Sequence, residues 1–405
     1  MNNFHVYHTS SPIFDTVLAL LRSAIWGETR FPFRADKDTD WEAVYRELRM
    51  QTVHHLPVDL LAREDPERKS IYTQCTGLNI IHWYKVMQLQ QDLCHQLYSA
   101  GIPCAVVKGA AAACYYPQPA NRVMGDIDLL VDPEQFDRAC QIVSADAQYF
   151  GENYRHKEYI KNGITIELHR AFGTLRKAEK NQHLDRRLFS AISAAKSVAT
   201  DNFTFFSLPT VENGLVLLLH IDVHMENGLG LRQIIDWMMF VENVLTEDLW
   251  HSEFEPFLNQ LERKTLAVTV TRMCQMYLGL RSDISWCSDA DEQLCTDLME
   301  YIFLQGNFGN KTQKGLNRTI GVLQASKNKL AFLKILQNRG CQNWKAITRY
   351  PFLKPLAWLY QLIRYLYYGL RSENTLGLLR NAHSSMDSKT RLMKNLGVSN
   401  MSDEG

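Results

Sequence analysis

No run of about 18 uninterrupted apolar residues occurs anywhere in the sequence, so no membrane-spanning helix is expected. Met1 to Ser11 is polar and lacks the basic start of a secretion signal. The nine cysteines are scattered, with no C-x-x-C pair. This argues against a disulfide framework or a zinc ribbon, and for reduced thiols in a cytoplasmic protein. No internal repeat or low-complexity tract is present, which excludes a solenoid. Acidic residues are absent from Tyr301 to Ser372, a stretch that holds 12 Lys and Arg. Because the whole chain balances 44 basic against 44 acidic residues, the remainder carries a formal charge of −12. A one-sign block of this length can mark a polyanion or membrane contact.

What is present fits an ordinary globular chain. The 405 residues are 46% hydrophobic and 22% charged, enough for two or three domains with a sizeable core. Ile13, Val17, Leu18, Leu21 and Ile25 recur at helical spacing, as do Trp41, Val44, Tyr45 and Leu48. A third helix is expected over Cys75 to Ala100, ended by Gly101 and Pro103. The texture then changes. Ile102 to Val107 reads as a buried strand, Ala110 to Tyr115 as a small-residue helix, Asp126 to Val131 as a second strand, and Pro133 to Ser144 as a helix. Glu158 to Lys161 and Ile164 to His169 flank Asn162-Gly163, a strong hairpin signal. After Pro209 helices resume, over Val211 to His224 and Leu229 to Val244, and continue to about Leu370.

The expected class is therefore α+β: a small mixed sheet with helices, flanked by N- and C-terminal helical domains. The divisions fall at 1–74 (helical), 75–208 (α/β core), 209–300 (helical, lining the cleft) and 301–405 (basic and helical).

Side chains on a strand alternate between faces, so Asp126 and Asp128 point one way while Ile127 and Leu129 anchor the strand on the other. Two carboxylates so close repel one another unless solvent or cations neutralise them. Hard oxygen donors in this pattern suit Mg²⁺. Glu167, on the hairpin strand with Ile166 and Leu168 turned to the core, offers a third carboxylate. Three carboxylates on adjacent strands can hold two magnesium ions about 4 Å apart, one activating an attacking oxygen and one stabilising a triphosphate. Alone, a D-x-D strand or a strand glutamate is commonly a solvated edge. Their occurrence in this chain order with Lys108-Gly109 favours chemistry. Lys108-Gly109 follows the first strand and opens a helix whose backbone N–H groups can meet phosphate, with Gly125 beside the acidic pair. Arg122 could reach the same phosphates as a bidentate donor, or be a surface charge.

The stretch Val107-Lys108-Gly109 … Arg122-Val123-Met124-Gly125-Asp126-Ile127-Asp128-Leu129-Leu130-Val131 … Ile166-Glu167-Leu168-His169 resembles the uncharacterised nucleotidyltransferase family of the DNA polymerase beta-like superfamily, over about residues 80–245. The resemblance implies a minimal nucleotidyltransferase fold, Mg²⁺ ligation by Asp126, Asp128 and Glu167, and two-metal transfer of a nucleoside monophosphate from an NTP with release of pyrophosphate. It departs from the superfamily at the first helix, where Gly-Gly or Gly-Ser is usual and Lys108-Gly109-Ala110 stands here.

Further along, His220 and His224 share a helix face, and Arg232 and Asp236 repeat the i, i+4 spacing; this pattern also resembles the family. Three readings stay open: a polar face with an Arg232–Asp236 pair, a metal held by the two histidines, or an acceptor-binding wall facing the metal site. His169 is a candidate general base if it turns towards the cleft. Phe352 to Ser372 reads as an amphipathic helix, packed on the protein or lying at an interface. The functional expectation is an Mg²⁺-dependent nucleotidyltransferase acting on an unidentified hydroxyl or phosphate acceptor. The alternative is a nucleotide-binding or nucleic-acid-binding protein that keeps the fold without turnover. The basic block, chiefly Lys311 to Arg349, is expected to flank the cleft and steer anions.

Overall fold

The protein is described from a computed structural model, over residues 7–153, 155–172, 178–200, 202–307, 336–337, 340–341, 344, 351–370 and 388–398. In chain order the elements are α1 (Pro12–Trp26), α2 (Trp41–Met50), α3 (Val58–Glu64), α4 (Lys69–Ser99), β1 (Cys104–Val107), α5 (Gly109–Ala113), β2 (Ile127–Val131), α6 (Phe136–Ser144), β3 (Gln148–Glu152), β4 (His156–Lys161), β5 (Ile164–His169), α7 (Ala178–Ile192), β6 (Lys196–Thr200), β7 (Phe203–Ser207), α8 (Thr210–Asn227), α9 (Leu231–Asn243), α10 (Glu247–Leu249), α11 (Glu255–Leu261), α12 (Lys264–Leu278) and α13 (Glu292–Gln305). A further helix spans Ala357–Leu370. The architecture is α+β: one seven-stranded mixed sheet between helical layers.

The strand order is β3-β4-β5-β2-β1-β7-β6. β2 runs antiparallel to β1, with Val107 opposite Asp128, and parallel to β5, with Asp128 opposite Glu167. β4 and β5 form the hairpin announced by Asn162-Gly163, whose φ values of 53° and 77° suit a two-residue hairpin turn. Strands β3, β6 and β7 and helix α7 carry no signal strong enough to have been read from the sequence. β7 nonetheless completes the sheet by pairing in parallel with β1.

Alternation along the strands sorts the sheet into two cores. Ile127, Leu129, Val131, Ile166 and Leu168 pack with Trp83, Val86 and Leu93 of α4 and Phe136 of α6. Ala105, Val107 and Leu130 face the other way, into a larger core built from α1–α3, α8, α9, α12 and α13. Asp128 and Glu167 alternate with the first set and so point to the second side, beneath α8 and α9. α1 closes onto α12: Arg22 Nη1 donates to the Tyr277 carbonyl at 2.7 Å and Trp26 Nε1 to that of Leu278 at 2.6 Å. The N-terminal helices thus share a core with helices that follow the sheet.

No helix among the described residues is long and apolar enough to cross a membrane. The described cysteines are all free thiols. Of the basic block expected beside the cleft, every Lys and Arg from Lys311 to Arg349 lies outside the described residues. Phe352, Leu356, Leu359 and Ile363 are exposed, while Tyr360 stacks on Trp344 with ring centroids 4.9 Å apart.

Candidate active site

A cleft of about 340 Å³ opens between the sheet and helices α8 and α9. Asp126 sits just before β2, Asp128 is its second residue, and Glu167 is beside Asp128 on β5. Carboxylate oxygens of the three lie within 4.8 Å of one another, close enough to share a metal ion. Asp128 is the buried member, and Asp126 the most open. The charge of Asp128, and then burial, push the Asp126 carboxyl up to about 6. Burial acts on Asp128 in the same sense but is overcome by Lys108 and His169, which hold its carboxyl well below the usual range.

Lys108 Nζ lies 2.6 Å from Asp128 Oδ1. Its backbone has φ 58° and ψ −132°, a region that residues with a Cβ seldom adopt. Next to it Gly109 has φ 26°, and a Cβ there would come within 3.2 Å of Met124 Cε. The tight exit from β1 into α5 therefore turns the lysine into the cleft. Lys108 resists burial because Asp128 and Asp126 raise its affinity for the proton. Gly125 lines the cleft beside Asp126.

His169 Nε2 is 2.8 Å from Asp128 Oδ1 and 3.2 Å from Glu167 Oε2. Burial disfavours its charged form, but the hydrogen bonds to these carboxylates prevail and its pKa is raised. His169 does turn to the cleft. It does so with Nε2 held between the two carboxylates.

Arg122 also lines the cleft. Its Nε and Nη2 engage Asp236 Oδ1 and Oδ2 at 2.7 and 2.6 Å, so the fork expected on phosphate is spent on an internal ion pair. Tyr116 Oη donates to the same carboxylate at 2.7 Å. Asp236 is fully buried behind Arg122 and does not border the cleft, contrary to expectation. Nor does it pair with Arg232, which lines the cleft and donates from Nη1 to the Val123 carbonyl at 3.2 Å.

His220 and His224 do line the cleft, their Nε2 atoms 3.0 Å apart. Burial, and then each other or Arg232, disfavour their charged forms: His224 falls to about 4 and His220 falls well below its ordinary value. Among the described residues they join no third donor in a metal-sized group. Asp222 points elsewhere, accepting from Arg263 Nε at 2.7 Å.

Four lining residues were not singled out from the sequence: Arg155, His156, Phe172 and Val223. His156 was recoverable. It lies opposite His169 in the hairpin register that Asn162-Gly163 defines.

Set against known proteins, residues 37–279 match a family described as "Uncharacterised nucleotidyltransferase". None of the curated proteins matches the chain. Among solved structures, an antigenic nucleotidyltransferase-like protein from Paracoccidioides brasiliensis is similar at 13% identity and a TM-score of 0.32, covering 48% of this chain and 93% of that one. With more than half of its length inside the family match, the chain belongs to the uncharacterised nucleotidyltransferases.

Proposed function

We propose that the protein transfers a nucleoside monophosphate from an NTP to a hydroxyl or phosphate acceptor, with Mg²⁺ held by Asp126, Asp128 and Glu167. The observation that carries this reading is the convergence of those carboxylates, within 4.8 Å, in a cleft that also holds Lys108. The donor set fits a hard divalent cation: all oxygen and mutually repelling, with the Asp126 carboxyl pushed up by the charge of Asp128 and by burial. Bound cations would supply charge neutralisation for the triphosphate and a more nucleophilic acceptor oxygen.

The chain's own residues do the rest. Lys108, paired with Asp128, is placed to exchange that partner for a phosphate oxygen. Arg232 presents a second cation to the cleft. His169 bridges Asp128 and Glu167 and so fixes the orientation of both carboxylates. The wall of His220, Val223 and His224 is left for the acceptor. As the acceptor oxygen bonds to the α-phosphorus, the bond to pyrophosphate breaks.

The test is incubation with each α-labelled NTP and Mg²⁺, using cell extract as the acceptor source, with Asp126→Asn in parallel. Label transferred by the native chain and lost in the variant supports the reading. Equal labelling by both would overturn it.

A further inference from the structure

We infer a second metal position beside the carboxylate cluster, formed by His156, Glu167 and His169 and suited to a borderline transition-metal ion of the Zn²⁺ type. It shares Glu167 with the proposed magnesium site, yet its donors and chemistry differ, and its evidence does not depend on nucleotidyl transfer.

The argument begins with register. His156 and His169 are cross-strand partners in the β4–β5 hairpin, and Glu167 precedes His169 by one strand period, so all three side chains share a sheet face. His156 Nδ1 is 3.6 Å from Glu167 Oε2, and His169 Nε2 is 3.2 Å from the same oxygen. A tetrahedral zinc shell with bonds of about 2.0–2.1 Å spaces its ligand atoms about 3.3 Å apart. Both histidine donors therefore stand near ligand spacing from Glu167, and His169 Nε2 would exchange its bond to Asp128 for the ion.

A second, independent observation concerns the far side of the His156 ring. Nε2 is 3.0 Å from Glu158 Oε1 and 2.9 Å from Asn153 Nδ2. The carboxylate can only accept from Nε2 and the amide can only donate to it, so these contacts orient the ring and leave Nδ1 turned towards Glu167. His156 is more than nine-tenths buried, and Nδ1 has no hydrogen-bond partner. It points at Glu167 Oε2, 3.6 Å away and too long for a hydrogen bond, which leaves room for an ion between them. A carboxylate behind a ligating histidine is the usual arrangement for orienting the ring and raising its basicity. Two imidazoles and one carboxylate favour zinc-like ions over magnesium, and three protein donors leave a position open to water or substrate.

The experiment measures binding of Zn²⁺ alone, and of Co²⁺ alone by its visible absorption, to the metal-stripped full-length protein. It compares wild type with His156→Gln, Glu158→Gln and Asp126→Asn, each checked for native circular dichroism. Wild type should give the intense absorption of a low-coordinate cobalt site. His156→Gln should abolish that absorption and weaken Zn²⁺ at least a hundredfold. Glu158→Gln should weaken it about tenfold, and Asp126→Asn less than threefold. Wild-type Zn²⁺ affinity in His156→Gln, or equal losses in His156→Gln and Asp126→Asn, would overturn the second position. Either result leaves the labelled-NTP test of the carboxylate cluster intact, so the two readings fail separately.

Discussion

At the scale of single residues, the site separates two aspartates that look equivalent in the sequence. Asp128 is buried and bonded to Lys108 and His169, whereas Asp126 has no cationic side chain paired to it among the described residues. Asp126→Asn should cost at least a hundredfold in transfer while leaving metal-free stability unchanged or slightly higher, because it removes a like-charge neighbour. Asp128→Asn should lose transfer and also destabilise by about 3 kcal/mol, since it leaves buried cations without their counter-charge. Urea unfolding in chelator separates the two; equal stability losses would show that the asymmetry is not real. Lys108→Ala should weaken NTP binding about tenfold or more, measured by titration with a non-hydrolysable analogue. Unchanged affinity would leave Lys108 as a partner of Asp128 alone.

At the scale of elements, the Arg122–Asp236 pair ties the loop before β2 to α9, and Tyr116 Oη completes the lock. Breaking a buried pair from one side typically costs 3–5 kcal/mol, while replacing both partners by apolar residues can be nearly neutral. Asp236→Ala should therefore destabilise by about 4 kcal/mol, and Arg122→Met with Asp236→Leu should recover more than half of that. Additive losses in the double variant would refute the coupling. The lock also shows what the sequence conceals. G-D-I-D-L-L-V and Asn162-Gly163 were legible because alternation and turn chemistry act over a few residues. Arg122 and Asp236 are 114 positions apart, and only the packing of α9 on α5 joins them. Reading Asp236 with Arg232, its neighbour at i+4, was the local answer to a long-range question. His156 falls between these cases. Counting back from the turn sets Glu158 against Glu167 and His156 against His169, a step that needs only register. Strands β6 and β7 escaped because β7 owes its place to pairing with the distant β1.

At the scale of the whole molecule, buried neutral histidines couple folding to pH. His54 and His55 pack against each other in the link between α2 and α3, ring centroids 3.9 Å apart and planes tilted by 42°, with His55 Nδ1 3.0 Å from Thr76 Oγ1. Burial, and then the neighbouring ring and Arg49, lower His54 to about 3; burial and Arg49 lower His55 to about 4. His224, on the opposite side of the cleft from the sheet, falls to about 4 for a like reason. All three are thus neutral in the folded chain at pH values where an unfolded histidine, titrating near 6.5, is already charged. At these rings the unfolded state then binds more protons, so their contribution to stability falls as pH falls, against an opposite contribution from Asp126 and His169, which the fold makes easier to protonate. The contribution is fully present above about 6.5, declines through the window down to about 4, and flattens once the folded protein titrates too. Each histidine should cost on the order of 1–2 kcal/mol by pH 5. Urea unfolding at pH 7.5 and 5.0 measures the sum. His55→Asn, which keeps a side-chain partner for Thr76 but cannot titrate, should reduce the pH-dependent loss by one histidine's share. A pH dependence unaltered by His55→Asn would mean that this ring gains its proton without unfolding the helices that enclose it.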